Sequence, residues 1–278
     1  MKRLSRALAL IICAVVTVAA VSVAAECLRA IVTESDIRRQ AENTPPTNNW
    51  VLYTRTPIGT SSFVVGPANP PAGIGSFEMQ TPTAADKVTL FNYDHVGTPL
   101  REITSLGYST YRDPTSTANP VQVPSINIEV DYNGSAPGGF TTLVFEPVYN
   151  TDQGAVTPGV WQDWDAYNGG NAIWWSSRPI GGCLVGPCYQ TWNQILANNP
   201  DAVIVGGFGV NQGSGNGGLT ASTDALKIAY RDICVLYDLE PFRATNECKK
   251  GGWQTMSRAD GSPFKNQGDC VSYMNTGK

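Results

Sequence analysis

One histidine, His95, stands in 278 residues, and that scarcity removes whole classes of chemistry. A Ser-His-Asp site would have to use it, yet it sits between Asp94 and Val96, and no Gly-x-Ser-x-Gly turn occurs in the chain. His95 therefore reads as an ordinary strand-end residue. With one histidine, the cysteine spacings also match no common zinc pattern. Charged residues are sparse at 15%, and no basic excess offers an electrostatic footprint for nucleic acid or an anionic membrane. Constant-period repeats and heptads are absent. So is the Gly-Lys-Ser/Thr that would end a phosphate loop, although Gly206 to Gly218 is glycine-rich. That run is interrupted by Asn211, Ser214 and Asn216 and leads into a strand-like segment, which also excludes a dinucleotide fingerprint.

What is abundant is turn chemistry, with 28 glycines and 19 prolines. Such a mixture favours many short strands between punctuated turns. Alternation is clearest in SINIEVD, where Ile126, Ile128 and Val130 oppose Asn127 and Glu129. Asn133-Gly134 then reads as a tight turn into Thr141 to Val148, a long antiparallel hairpin. WVLYTR, SSFVVG, SFEMQ, KVTLFNY, ITSLGYSTY, WQDWDAY and NAIWWSS read as further strands. Ala202 to Val205 reads as a short strand entering a long Gly/Asn/Ser loop, with a further strand from Asp224. TWNQILA reads as a short helix capped by Thr191, and Glu26 to Glu42 as a polar helix ended by Pro45-Pro46. The expected fold is all-β: an antiparallel, jelly-roll-like β-sandwich over 49–241, followed by a small, basic, disulfide-stapled tail at 242–278. A polar leader at 26–48 precedes the body.

Residues 1–25 carry the marks of an export signal. Lys2, Arg3 and Arg6 form a positive end, Ala7 to Ala25 is uncharged, and Val23 and Ala25 fit the cleavage pattern before Glu26. The uncharged run also approaches the roughly 20 residues that span a bilayer, so a retained anchor stays open beside cleavage. Cleavage would leave 16 Lys and Arg against 23 Asp and Glu, a formal charge of −7. The expected location is secreted, periplasmic or cell-surface, with no membrane association after cleavage and no nucleic-acid partner. Beyond Cys13, six cysteines remain, the even count of a disulfide framework in an exported chain. Many connectivities are open to six cysteines. Cys183 with Cys188 would crimp a small loop, Cys248 with Cys270 would staple the tail, and Cys27 with Cys234 is left by elimination.

Aromatic density between Thr157 and Gly182 is the best functional lead. Trp and Tyr rings stack on sugars, and neighbouring amides take hydroxyls, the logic of a pocket with apolar walls and a few placed polar groups. Trp164 and Trp174 read as core. Trp161, Trp175 and Tyr167, with Asn211 and Asn216 from the glycine-rich run, form the candidate ligand-binding set. Asp131 and Asn133, with Ser135, have the spacing that opens a calcium loop, but no Glu closes it, so a structural calcium is only a candidate and no other cofactor is expected. Asn133-Gly134-Ser135 is also a glycosylation acceptor. Glu129 and Glu146 could be cross-strand neighbours, and no two carboxylates are tied together as a glycosidase requires. The expectation is non-catalytic recognition of an extracellular glycan or envelope component. A glycan-cleaving hydrolase and a structural envelope protein are the alternatives.

The strings FNYDHVGTPL, TLVFEPVYNTDQG, WQDWDAYNGGNAIWW and VIVGGFGVNQGSGNGGLTASTDALKIAY, with the tail CKKGGWQTMSRADGSPFKNQGDCVSYMNTGK, resemble a group of bacterial secreted proteins of uncharacterised activity. The resemblance spans roughly Trp50 to Lys278. It implies export and a β-rich body with a tail, and it carries over no catalytic residue.

Overall fold

The structure, a computed structural model, describes residues 27–55, 58–134, 138–185, 187–242, 248–249, 251–254 and 262–276. The expected signal at 1–25 and Ser135 lie outside them. Among the described residues, the strands are β1 (Leu28–Val32), β2 (Ile37–Ala41), β3 (Trp50–Arg55), β4 (Thr60–Val65), β5 (Gly75–Thr81), β6 (Lys87–Asn92) and β7 (Ile103–Arg112). They continue as β8 (Ser125–Asp131), β9 (Phe140–Phe145), β10 (Trp161–Asp165), β11 (Ile173–Ser176), β12 (Cys188–Thr191), β13 (Val203–Gly213), β14 (Leu219–Tyr230) and β15 (Ile233–Leu239). Among the described residues two α-helices join them: α1 (Trp192–Asn198) and α2 (Gln267–Thr276).

The strands form two open sheets. One has eight strands in the order β12-β11-β9-β8-β13-β6-β3-β2; the other has seven, with β1-β15-β14-β5-β4 along one path and β7 and β10 added beside β14. The inward residues of both meet in one apolar cluster, including Leu52, Leu90, Ile128 and Phe208 from the first and Phe77, Leu106 and Ile228 from the second. Trp164 and Trp174 are buried in that cluster.

This overturns the all-β, jelly-roll-like sandwich expectation. The sheets are open, helices are present, and β1 pairs β15 and β2 pairs β3 in parallel. The three disulfides are spread along the chain: Cys27–Cys234 ties the start of β1 to β15, Cys183–Cys188 crimps the loop before β12, and Cys248–Cys270 lies in the tail. The physical reason is that alternation is a local property, whereas strand partners are chosen by long-range packing.

The expected helix over Glu26 to Glu42 is likewise replaced by β1 and β2, separated by a single turn at Glu34–Asp36. Both strands complete sheet edges, and edge pairing outweighs the modest helix propensity of ESDIRRQAE. The tail is less self-contained than its sequence suggests. Phe264, Tyr273 and Met274 pack with the Cys248–Cys270 bridge around Ile74 of the body, and α2 runs through this cluster. By contrast, α1 starts where the capping pattern places it: Thr191 accepts from Gln194 N, and the Gln194 side chain returns to the Thr191 N–H.

Strand β13 is the central departure. The expected short strand and long loop are one strand from Val203 to Gly213, with a bulge between Ile204 and Phe208 where it pairs β8. Gly209 runs so close to the Leu90 carbonyl of β6 that a Cβ would collide with the backbone. In the sequence these glycines read as loop punctuation; in the fold they let the middle strand pack between β6 and β8.

Candidate functional site

The outer face of the eight-stranded sheet carries the site. Because successive side chains alternate, the partners of the core residues all point outward. The strand register aligns one row across seven strands: Val51, Phe91, Gly209, Asn127, Val144, Trp175 and Tyr189. Gly209 leaves the middle of this row without a side chain, between an aromatic flank and a polar one.

The aromatic flank is a cavity of about 520 Å³. Its floor is Tyr53, Phe91 and Tyr93, and Phe91 stands edge-on to both tyrosines at interplanar angles of 72° and 88°. The two tyrosine hydroxyls bond each other at 3.0 Å. Burial pushes both phenols above their ordinary range, so they remain protonated hydrogen-bonding groups. Exposed Val96, Phe140 and Val205 rim the cavity, and residues from Glu42 to Pro46, immediately after β2, close one side. Glu42 fixes that wall by accepting from Arg55 Nε and Nη2, at 2.6 and 2.8 Å, and from Lys87 Nζ at 2.9 Å.

Lys87 also borders the polar flank, a recess of about 250 Å³. Here Asn127, Glu146, Trp175 and Asn211 converge, with Ser214 and Asn216 from the β13–β14 turn. Trp175 Nε1 donates to Glu146 Oε2 at 2.8 Å. Asn211 is already engaged, accepting from Thr89 Oγ1 at 2.8 Å and donating to the Gly213 carbonyl at 2.9 Å. Asn216 accepts from Gly213 N at 3.0 Å. Asn127 accepts from Ser125 Oγ at 2.9 Å, which leaves its amide N–H groups for the recess.

Apart from Glu42, which Arg55 and Lys87 occupy, each flank holds one half-buried carboxylate. Glu129 accepts the Gly207 N–H at 2.8 Å, and Glu146 accepts the Trp175 indole. Burial raises the pKa of both, with these hydrogen bonds opposing it and the Lys87 charge opposing it further at Glu129. They are not direct cross-strand neighbours: Glu129 faces Thr142, and Glu146 lies four residues further along, in the extended conformation that prolongs β9. Strand rise places the two about 13 Å apart along the sheet.

Of the residues singled out in the sequence, Trp175, Asn211 and Asn216 meet in the polar recess. Trp161 does not join them. It lies on β10 of the other sheet, tilted against Tyr111, with its indole donating to the Pro67 carbonyl at 2.8 Å. Tyr167 packs edge-on to Trp192 beside the core. Asp131 Oδ1 accepts the Asn133 N–H at 2.9 Å, the bond of an Asx turn. Among the described residues no group of three or more acidic, His or Cys side chains is arranged to hold a metal ion. The β8–β9 hairpin pairs antiparallel as expected, but its connection runs from Tyr132 to Gly139, longer than a tight Asn-Gly turn.

His95 is buried between the sheets. Its Nδ1 meets the Tyr230 hydroxyl at 3.2 Å and its Nε2 the Tyr237 hydroxyl at 2.9 Å. Burial pushes its pKa down to about 4, so the neutral ring links two phenols, away from the cleft.

The residues that sequence reasoning missed are Tyr53, Phe91, Tyr93 and Glu42. The available signal was Tyr53 and Tyr93 at outward positions of alternating strands, where amphipathic rings face water. Compared with known proteins, the chain matches no family model, no curated protein sequence and no solved structure.

Proposed function

We propose that this is a non-catalytic recognition protein of the cell exterior that binds a glycan across the outer face of its eight-stranded sheet. One observation carries the reading: the register row that joins an aromatic cavity to an amide-rich recess over a side-chain-free centre. A sugar chain offers apolar faces for Phe91, Tyr93 and Trp175, and hydroxyls for Asn127, Glu129 and Glu146. An oxidising, extracytoplasmic location is supported by three disulfides that use all six cysteines beyond Cys13.

Cleavage of the glycan is the competing reading, favoured by two carboxyls of raised pKa in one cleft. Their spacing argues against it. A retaining pair stands about 5 Å apart and an inverting pair about 6.5–9.5 Å apart, whereas Glu129 and Glu146 are about 13 Å apart along the strands.

The test is titration with a panel of oligosaccharides, read by calorimetry and tryptophan fluorescence. Binding should be lost in Tyr93→Ala and Trp175→Ala and kept in Trp161→Ala. Release of reducing ends from a bound oligomer would replace recognition with hydrolysis. A panel without a single binder would sink the reading.

A further inference from the structure

We infer that the glycan recognised at this cleft is basic: a polymer carrying free amino groups, such as a glucosamine chain, and not a neutral or uronate polymer. This rests on the glycan reading above and specifies its chemistry.

The argument starts from the charges on the face. The two cations that line its recesses, Arg55 and Lys87, are both bound by one carboxylate, Glu42, at the end of the wall. Glu129 and Glu146 receive only neutral donors, a backbone N–H and an indole N–H. Neither forms a salt bridge among the described residues, and each contributes to a recess in which a ligand would sit. Lys87 acts on Glu129 only through space, and a half-buried carboxylate that no cation contacts is poorly solvated, so a ligand ammonium would gain a charge-assisted bond there while relieving that deficit.

The aromatic flank has the same preference. Tyr53, Phe91 and Tyr93 line one cavity with Glu129, and the edge-on arrangement turns rings in different directions around it. Aromatic faces attract cations as well as sugar C–H groups. Ring and carboxylate together therefore fit a protonated amino sugar better than a neutral one. The two carboxylates sit one in each flank, which suits a ligand that repeats its positive charge along a chain. A uronate or sulfated polymer would meet two like charges, and the lining cations Arg55 and Lys87 are already held by Glu42.

The experiment compares three oligomers of equal length: glucosamine, its N-acetylated counterpart and a uronate. Each is titrated calorimetrically into the wild-type protein and into Glu129→Gln, Glu146→Gln and the double variant. Gln keeps the shape and the acceptor for Gly207 N or Trp175 Nε1, and a thermal melt verifies folding. The glucosamine oligomer should bind about tenfold or more tighter than the acetylated one, the scale of one charge-assisted hydrogen bond. The double variant should erase that preference, and added salt should weaken only the basic ligand. Equal binding of the acetylated oligomer, or a preference that survives the double substitution, overturns the basic class while leaving glycan recognition standing. No binding of any oligomer, here or in the wider panel, overturns both.

Discussion

The indole N–H of Trp175 donates to Glu146 Oε2 at 2.8 Å, so the one tryptophan on the cleft face is oriented by a carboxylate of the same recess. Trp175→Phe keeps a ring but removes the donor. We expect it to weaken glycan binding less than Trp175→Ala, with a stability change within about 1 kcal/mol because the side chain is only half-buried. Calorimetry on both variants checks the order. Equal losses would mean that the hydrogen bond contributes nothing to ring placement.

Gly207 lies under the Phe91 ring, and a Cβ there would overlap the ring itself. Gly207→Ala should therefore displace Phe91 from the cavity floor and weaken binding. Gly209→Ala meets the Leu90 backbone, which cannot swing aside, and should destabilise the fold instead by about 1–3 kcal/mol. Urea denaturation alongside ligand titration separates the two. A Gly209→Ala protein as stable as wild type would contradict the packing of β13 against β6.

The His95 ring is held neutral, with its pKa lowered by burial from 6.5 to about 4. A lowered histidine stabilises the fold fully above pH 6.5, and the contribution is lost as pH falls through about 4. His95→Phe should remove that acid dependence. It should also cost about 1–3 kcal/mol, because the hydroxyls of Tyr230 and Tyr237 lose their shared partner. Melting temperatures from pH 7 to pH 4 provide the check. An unchanged acid slope in the variant would assign the loss elsewhere.

Asp224, Asp238 and Glu240 form the opposite case. Asp224 seals the seam where β14 passes from β5 to β15, accepting from Ala72 N and Leu239 N, each at 2.9 Å. Burial and mutual repulsion raise Asp224 and Glu240, the latter to about 9. Burial also raises Asp238, although Arg29 opposes this. For a raised carboxyl the stabilising contribution is complete below the unfolded value near 4.5 and disappears as pH rises through about 9. Stability should therefore decline from pH 5 towards pH 9, and Glu240→Gln should flatten that decline. A variant with the wild-type slope would show that this cluster is not its source.

The three disulfides should differ in weight. Cys27–Cys234 spans 207 residues and Cys183–Cys188 only 5. Chain entropy alone assigns about 5 kcal/mol to the first and about 2 kcal/mol to the second. Replacing each pair by serine and comparing denaturation midpoints tests this order, and a larger loss for Cys183–Cys188 would reverse it.

The sequence by itself determined which residues face inward along most strands, because that follows from a period of two, which any short window reveals. Ile126, Ile128 and Val130 are buried as the alternation requires. It also located α1 through a capping box contained within four residues. Half of the polar recess was legible, since Trp175, Asn211 and Asn216 have types suited to binding wherever they lie. Only the tertiary structure decided which sheet each strand joined. That choice sent Trp161 to the seven-stranded sheet and Trp175 to the cleft, and paired β2 with β3 so that the residues after it wall the aromatic cavity. Tyr53, Phe91, Tyr93 and Glu129 look like ordinary strand residues until β3, β6, β13 and β8 lie side by side. Gly206 to Gly213 looked like a loop because glycine is a poor strand former, but a crowded central strand between two others needs residues without side chains. Composition is local, whereas the cleft and the neutral donors around Glu129 and Glu146 come from contacts between residues far apart in the chain.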